Sequence, residues 1–97
     1  MTEKSFKVDM LAVEKVLYEG EAVSLVIPSE YGYMGVLANH APLIAAVSKG
    51  RIVLRGTSGK TDVFYSKGGG FIEFSKNKAT IILDTAVDLQ EQSSMHS

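Results

Sequence analysis

Short runs of alternating apolar and polar residues recur along this chain about every ten positions, most of them bounded by glycine, proline or asparagine. No long helical pattern interrupts them. Phe6, Val8 and Met10 alternate with Lys7 and Asp9, the period of a half-buried strand. Val13, Val16 and Leu17 have helical spacing, but the run is short. It is read as a strand over Val16–Tyr18, ended by a turn glycine at Gly20. Val23, Leu25 and Ile27 form the next strand, which Pro28 stops. Leu43–Val47 follows, then a turn at Ser48-Lys49-Gly50. Arg51–Arg55 has Ile52 and Leu54 facing inward. The loop at Gly56–Lys60 returns the chain through Thr61–Ser66, with Val63 and Tyr65 on one face. Phe71–Ser75 and Ala79–Leu83 form a hairpin about Lys76-Asn77-Lys78. This pattern predicts an all-β protein, a two-sheet sandwich of about ten short strands.

Three stretches depart from plain alternation. Ser29–Gly35 is expected to be a loop and carries Tyr31, Tyr33 and Met34. These side chains either cap the end of a core or form a partner-contact surface, since tyrosine and methionine are enriched where proteins meet. Asn39-His40-Ala41-Pro42 is a rigid corner, because Pro42 fixes its own φ and drives Ala41 towards extended backbone. Downstream, Gly68-Gly69-Gly70 leads into a strand and marks a bulge or a close backbone approach.

The 97 residues make one domain, read as a sandwich over positions 1–87 and a disordered polar tail over 88–97. A net charge of −1 gives no reason to expect nucleic acid or electrostatic membrane attachment. The polar start, Met1–Ser5, has no signal-peptide core, and no apolar run is long enough to span a bilayer, so a cytosolic or peripheral protein is expected. Without cysteine there is no disulfide or thiolate metal site.

Catalytic machinery is hard to find. Gly59-Lys60-Thr61 resembles part of a phosphate-binding loop, but Leu54 stands where that loop needs glycine, and a strand follows in place of a helix. His40 has no neighbouring ligand in the spacing a metal site needs. It serves either within its corner or at a contact surface. The expectation is no catalytic residue, no metal and no cofactor.

In combination, Gly35, His40-Ala41-Pro42-Leu43, Gly50, Gly69-Gly70-Phe71-Ile72-Glu73 and Asp84-Thr85-Ala86 resemble the epsilon subunit of F-type ATP synthases, over residues from about 6 to 87. The resemblance implies a non-catalytic rotor subunit of the central stalk. It would dock on the gamma subunit and the c-ring, and indirectly serve the alpha/beta hexamer. Its place would be the cytoplasmic face of a bacterial inner membrane, peripheral and without membrane insertion. The residues carried over are Glu30, Tyr31, Gly32, Tyr33 and Met34 for the ring contact, and His40, Ala41 and Pro42 for gamma. Gly35, Gly50, Gly69 and Gly70 would be structural glycines. Tyr33 stands where an acidic residue is usual in that family, and Glu30 is the acidic residue available to substitute. The family's C-terminal helical hairpin is expected to be absent, and with it hairpin-mediated inhibition and an ATP site. The alternatives are a free-standing binding module with Tyr31 and Tyr33 at its pocket, and a small enzyme using His40.

Overall fold

A computed structural model describes residues 4–88. Among the described residues nine strands follow in order: β1 (Phe6–Ala12), β2 (Lys15–Ser29), β3 (Gly32–Val36), β4 (Leu43–Ala46), β5 (Lys49–Gly56), β6 (Thr61–Lys67), β7 (Gly70–Ser75), β8 (Lys78–Leu83) and β9 (Ala86–Asp88). Hydrogen bonding links them as β4-β7-β8-β1-β2-β5-β6-β9, with β3 on β2. All pairs are antiparallel except β1 with β8.

The 15-residue β2 turns this single ladder into two layers. Its first half pairs with β1, from Lys15↔Ala12 to Ala22↔Phe6. Its second half lies between β3 and β5, with Leu25 opposite both Val36 and Leu54. The register against β5 slips between Ala22 and Ser24. A bulge there bends the strand and lets it serve both sheets. The first layer is β4-β7-β8-β1 with the start of β2; the second is β3, the rest of β2, β5, β6 and β9. The layers join again where Val47 bridges Ser29 and where Lys67 N–H donates to Thr85 O at 3.2 Å.

Between the layers lies one core that includes Phe6, Val8, Met10, Leu25, Ile27, Ile52, Leu54, Phe64, Ile72, Phe74, Ile81 and Leu83. Phe6 and Phe74 meet edge to face, with ring centroids 5.6 Å apart. The inward sets expected for β1, β2 and β5 are the ones buried. In β6 the inward face belongs to Phe64 and Ser66, so the face shared by Val63 and Tyr65 looks outward.

Three local expectations are corrected. Gly20 does not end a strand: it is paired with Val8 inside β2, and the Tyr18 ring lies against it, where an added Cβ would be 3.5 Å from the hydroxyl. A glycine flanked by two glutamates reads as a turn, but pairing and an aromatic cover hold it extended. Half of the expected loop Ser29–Gly35 is strand β3, because only Glu30 and Tyr31 are needed to reverse the chain. Lys49 and Gly50 belong to β5, opposite Lys67 and Ser66. The domain boundary expected at 87 falls inside β9, and residues 89–97 of the expected tail lie outside the described residues.

The β7–β8 hairpin shows how local chemistry sets register. Lys76 and Asn77 have φ of 53° and 58°, the left-handed pair of a tight two-residue turn. At its other end Gly70 has φ 99°, and an added Cβ would lie 2.8 Å from Leu83 Cα and overlap the Ile82 carbonyl oxygen. Only glycine lets β7 approach β8 there.

Candidate functional site

The β2–β3 tip is built on Ser29, which is buried. Its hydroxyl accepts from Tyr31 N–H at 3.1 Å and donates to Gly32 O at 2.8 Å, closing the turn from within. Glu30 is tied to β4 twice. Its N–H donates to Ala46 O at 3.0 Å, and its carboxylate accepts from Ala46 N–H at 3.1 Å. The Tyr33 hydroxyl accepts from Arg51 N–H at 3.1 Å. Tyr33 and Pro28 occupy the space a Cβ on Gly50 would need, and Gly50 has φ 145°.

The five tip residues therefore divide. Tyr31 is 83% exposed and Tyr33 62%, so neither ring caps the core. Met34 is half-buried and packs against the core. The Glu30 carboxylate is engaged with backbone. What the tip offers outward is two tyrosines and the open backbone at Gly32, on a turn with little freedom left.

The corner sits at the other end of β4. His40 N–H donates to Leu37 O at 3.1 Å, and Asn39 takes a left-handed φ of 65°. Asn77 fastens the corner across the fold. Its Oδ1 accepts from Asn39 N–H at 2.7 Å, and its Nδ2 donates to Ser5 O at 3.0 Å. The His40 ring meets Phe74 edge-on with centroids 5.8 Å apart, and Nδ1–H donates to Ala41 O at 2.6 Å. The imidazole is thus held by its own corner, while His40, Ala41 and Pro42 all remain exposed. Beside them an open groove of about 370 Å³ is lined by Pro42, Leu43, Ile44, Glu73, Phe74 and Ser75.

Of the glycines singled out in the sequence, Gly50, Gly69 and Gly70 have positive φ and neighbours that would meet a Cβ. Gly35 has open space and no left-handed φ, so sterics do not demand glycine there.

One surface escaped the sequence reading. On the outer face of the first layer, register sets Ala46 opposite Phe71, Phe71 opposite Ile82, Ile82 opposite Leu11, and Leu11 opposite Val16. This apolar row crosses five strands. Phe71 is 48% exposed, Val16 58%, and Ile44, two residues before Ala46, 72%. The next row, Ile44, Glu73, Thr80, Asp9 and Glu19, is polar apart from Ile44 at its β4 end. The signal lay in the pairs Phe71-Ile72 and Ile81-Ile82, where consecutive apolar residues break the alternation and one of each must face outward.

Fold and surfaces together define a small all-β sandwich that presents exposed tyrosine and apolar surfaces on a closely braced frame. The family model described as ATP synthase, Delta/Epsilon chain, beta-sandwich domain matches residues 5–89, and the chain belongs to that family. It is 38% identical over 86 residues to an ATP synthase epsilon chain of Dichelobacter nodosus, covering 89% of this chain and 59% of that one. With the epsilon chain of Leptospira interrogans the identity is also 38%, over 84 residues, covering 87% and 65%. The chain thus spans about three fifths of the length of these relatives. A chain in the Euglena gracilis mitochondrial ATP synthase has the same fold, with a TM-score of 0.82 at 20% identity, covering 99% of this chain and 62% of that one. No helix among the described residues is long and apolar enough to cross a membrane.

Proposed function

We propose that this chain is the β-sandwich part of an epsilon-type rotor subunit of an F-type ATP synthase. It carries no chemical step of its own. It docks on the gamma subunit and on the c-ring, at the cytoplasmic face of a bacterial inner membrane, and helps couple proton or sodium movement to ATP synthesis. The observation that carries this reading is the partly exposed apolar row Ala46–Phe71–Ile82–Leu11–Val16, with Ile44 beside it, on the outer face of the first layer. Burying such a row against a partner stabilises association at roughly 25 cal/mol per Å² of apolar surface, before ordering costs.

In this reading gamma seats on the row and on Ile44, with His40, Ala41 and Pro42 at its border. The ring meets the tip through Tyr31, Gly32 and Tyr33. Glu30 and Met34 contribute by holding the tip in shape, since both are turned to the protein itself. A part that passes torque must not yield, and a close-packed two-layer core with a pinned tip and a pinned corner is stiff. Two separate contacts on one subunit also raise each other's effective concentration.

The test is co-purification. Phe71→Asp with Ile82→Lys should leave the isolated chain folded, as both side chains face outward and the facing charges are opposite, and should remove it from a complex reconstituted with gamma and the ring. A doubly substituted chain that still co-elutes in full amount would refute the assignment of this face.

A further inference from the structure

The outer face of the second layer carries an unusual charge arrangement where β5 begins. Lys49 stands directly opposite Lys67, and Arg51, on the same face as Lys49, stands opposite Tyr65. All three cations are exposed. Like charges opposite one another on paired strands are destabilising. The chain has a second facing lysine pair, Lys7 and Lys78, but there the charges are answered: Lys78 Nζ lies 3.1 Å from Asp9 Oδ2, and Lys7 stands opposite Glu21. Lys49, Arg51 and Lys67 have no ion-pair partner among the described residues. Glu30, on the neighbouring tip, is turned to the Ala46 N–H. The concentration of positive charge is local, since the net charge of the chain is −1.

We infer that Lys49, Arg51 and Lys67, with Tyr65 and Tyr33 between and beside them, form a docking strip for an acidic polypeptide segment of a partner protein. Lys49 and Arg51 are roughly 6.6 Å apart along the strand, and the facing lysines roughly 5 Å apart across it. Carboxylates on an extended segment match that spread. A single small anion needs donors that converge on one point, whereas these three cations are spread along and across two strands. Recognition of an anionic lipid surface calls for clusters of about four to eight basic residues, more than this strip holds. Tyr33 is fixed beside the strip through the Arg51 N–H, so the aromatic part is preformed. The inference does not depend on which assembly the chain enters.

A titration of the 15N-labelled 97-residue chain tests it. The probe is an octapeptide alternating glutamate and glycine, with its lysine–glycine counterpart as control. Saturable amide shifts confined to Lys49, Arg51, Tyr65, Lys67 and their neighbours are expected from the acidic peptide only. Lys67→Glu should weaken that binding by about fivefold or more, and should raise the melting temperature of the free chain by making the facing pair attractive. Lys67→Gln is read in its place if the reversal fails to fold. No saturable shifts, shifts elsewhere, or unchanged binding by the variant would overturn the inference. So would a lower melting temperature for Lys67→Glu. Equal shifts from inorganic phosphate would reassign the strip to small anions, and tighter binding to phosphatidylglycerol vesicles would reassign it to lipid. Both results count against a protein partner.

Discussion

Gly70→Ala should be among the most damaging single-methyl changes in this chain. Gly70 has φ 99°, and placing a Cβ-bearing residue in a left-handed conformation costs about 1–2 kcal/mol. The new methyl would also meet backbone: the Ile82 carbonyl oxygen, the Ile82 carbonyl carbon at 3.0 Å and Leu83 Cα at 2.8 Å. Those atoms cannot swing aside, because Ile82 and Leu83 are paired on their other edge with Leu11 and Ala12. Separating β7 from β8 would also disturb the bond from Val47 N–H to Gly70 O, 3.1 Å, which lies where the two layers rejoin. One or two such bonds weakened add about 1 kcal/mol each. The total is about 2–4 kcal/mol, a large part of the ~5–15 kcal/mol available to a small domain. The melting temperature should fall by ~8 °C or more. Gly69→Ala is the internal control. Its φ is 86°, but its methyl would meet the Asp84 carboxylate, a side chain that can rotate away, so only the backbone cost of about 1–2 kcal/mol should show. Gly35→Ala, with open space, should change stability by less than about 0.5 kcal/mol. Urea and thermal unfolding followed by circular dichroism give all three values. A Gly70→Ala loss within about 1 kcal/mol of Gly69→Ala would refute the reasoning, since the β7–β8 spacing would then yield cheaply.

Two further substitutions probe other parts of the frame. Asn77→Ala removes the staple to Asn39 and Ser5 and places alanine at φ 58°, so it should cost about 2–3 kcal/mol; Asn77→Gly, which relieves only the backbone part, should recover about 1 kcal/mol, and equal losses in chemical denaturation would refute this division. The Tyr18 hydroxyl is held above its ordinary pKa of 10.0, first by burial and then by the nearby Asp62 charge. Its protonated form is therefore favoured in the folded state. That contribution is complete below the unfolded pKa and is lost as pH rises through the folded one. Stability should thus fall on the alkaline side, and Tyr18→Phe should flatten that fall; parallel slopes for parent and variant would refute the assignment.

The β character of this protein was legible in its residues alone. The alternation in β1, the run Val23-Leu25-Ile27 and the pair Ile52 and Leu54 each named their buried face, because period two ties position to side. The glycine patch before β7 and the Asn-His-Ala-Pro corner were legible too, as both are constraints of the backbone on itself. Joining Val16–Tyr18 to the following strand was not legible, because Gly20 is extended only through pairing with Val8 and the cover of Tyr18. The tip shows the same division. Its composition left open whether the tyrosines cap the core or face outward, and the turning of Glu30 to Ala46 depends on β4, sixteen residues away in the chain. The apolar row across β4, β7, β8, β1 and β2, and the facing lysines of β5 and β6, exist only once strands distant in sequence are set in register. Local patterning decides which way each side chain points along its own strand; which side chains stand together across strands is decided by pairing, a long-range choice that no single segment carries.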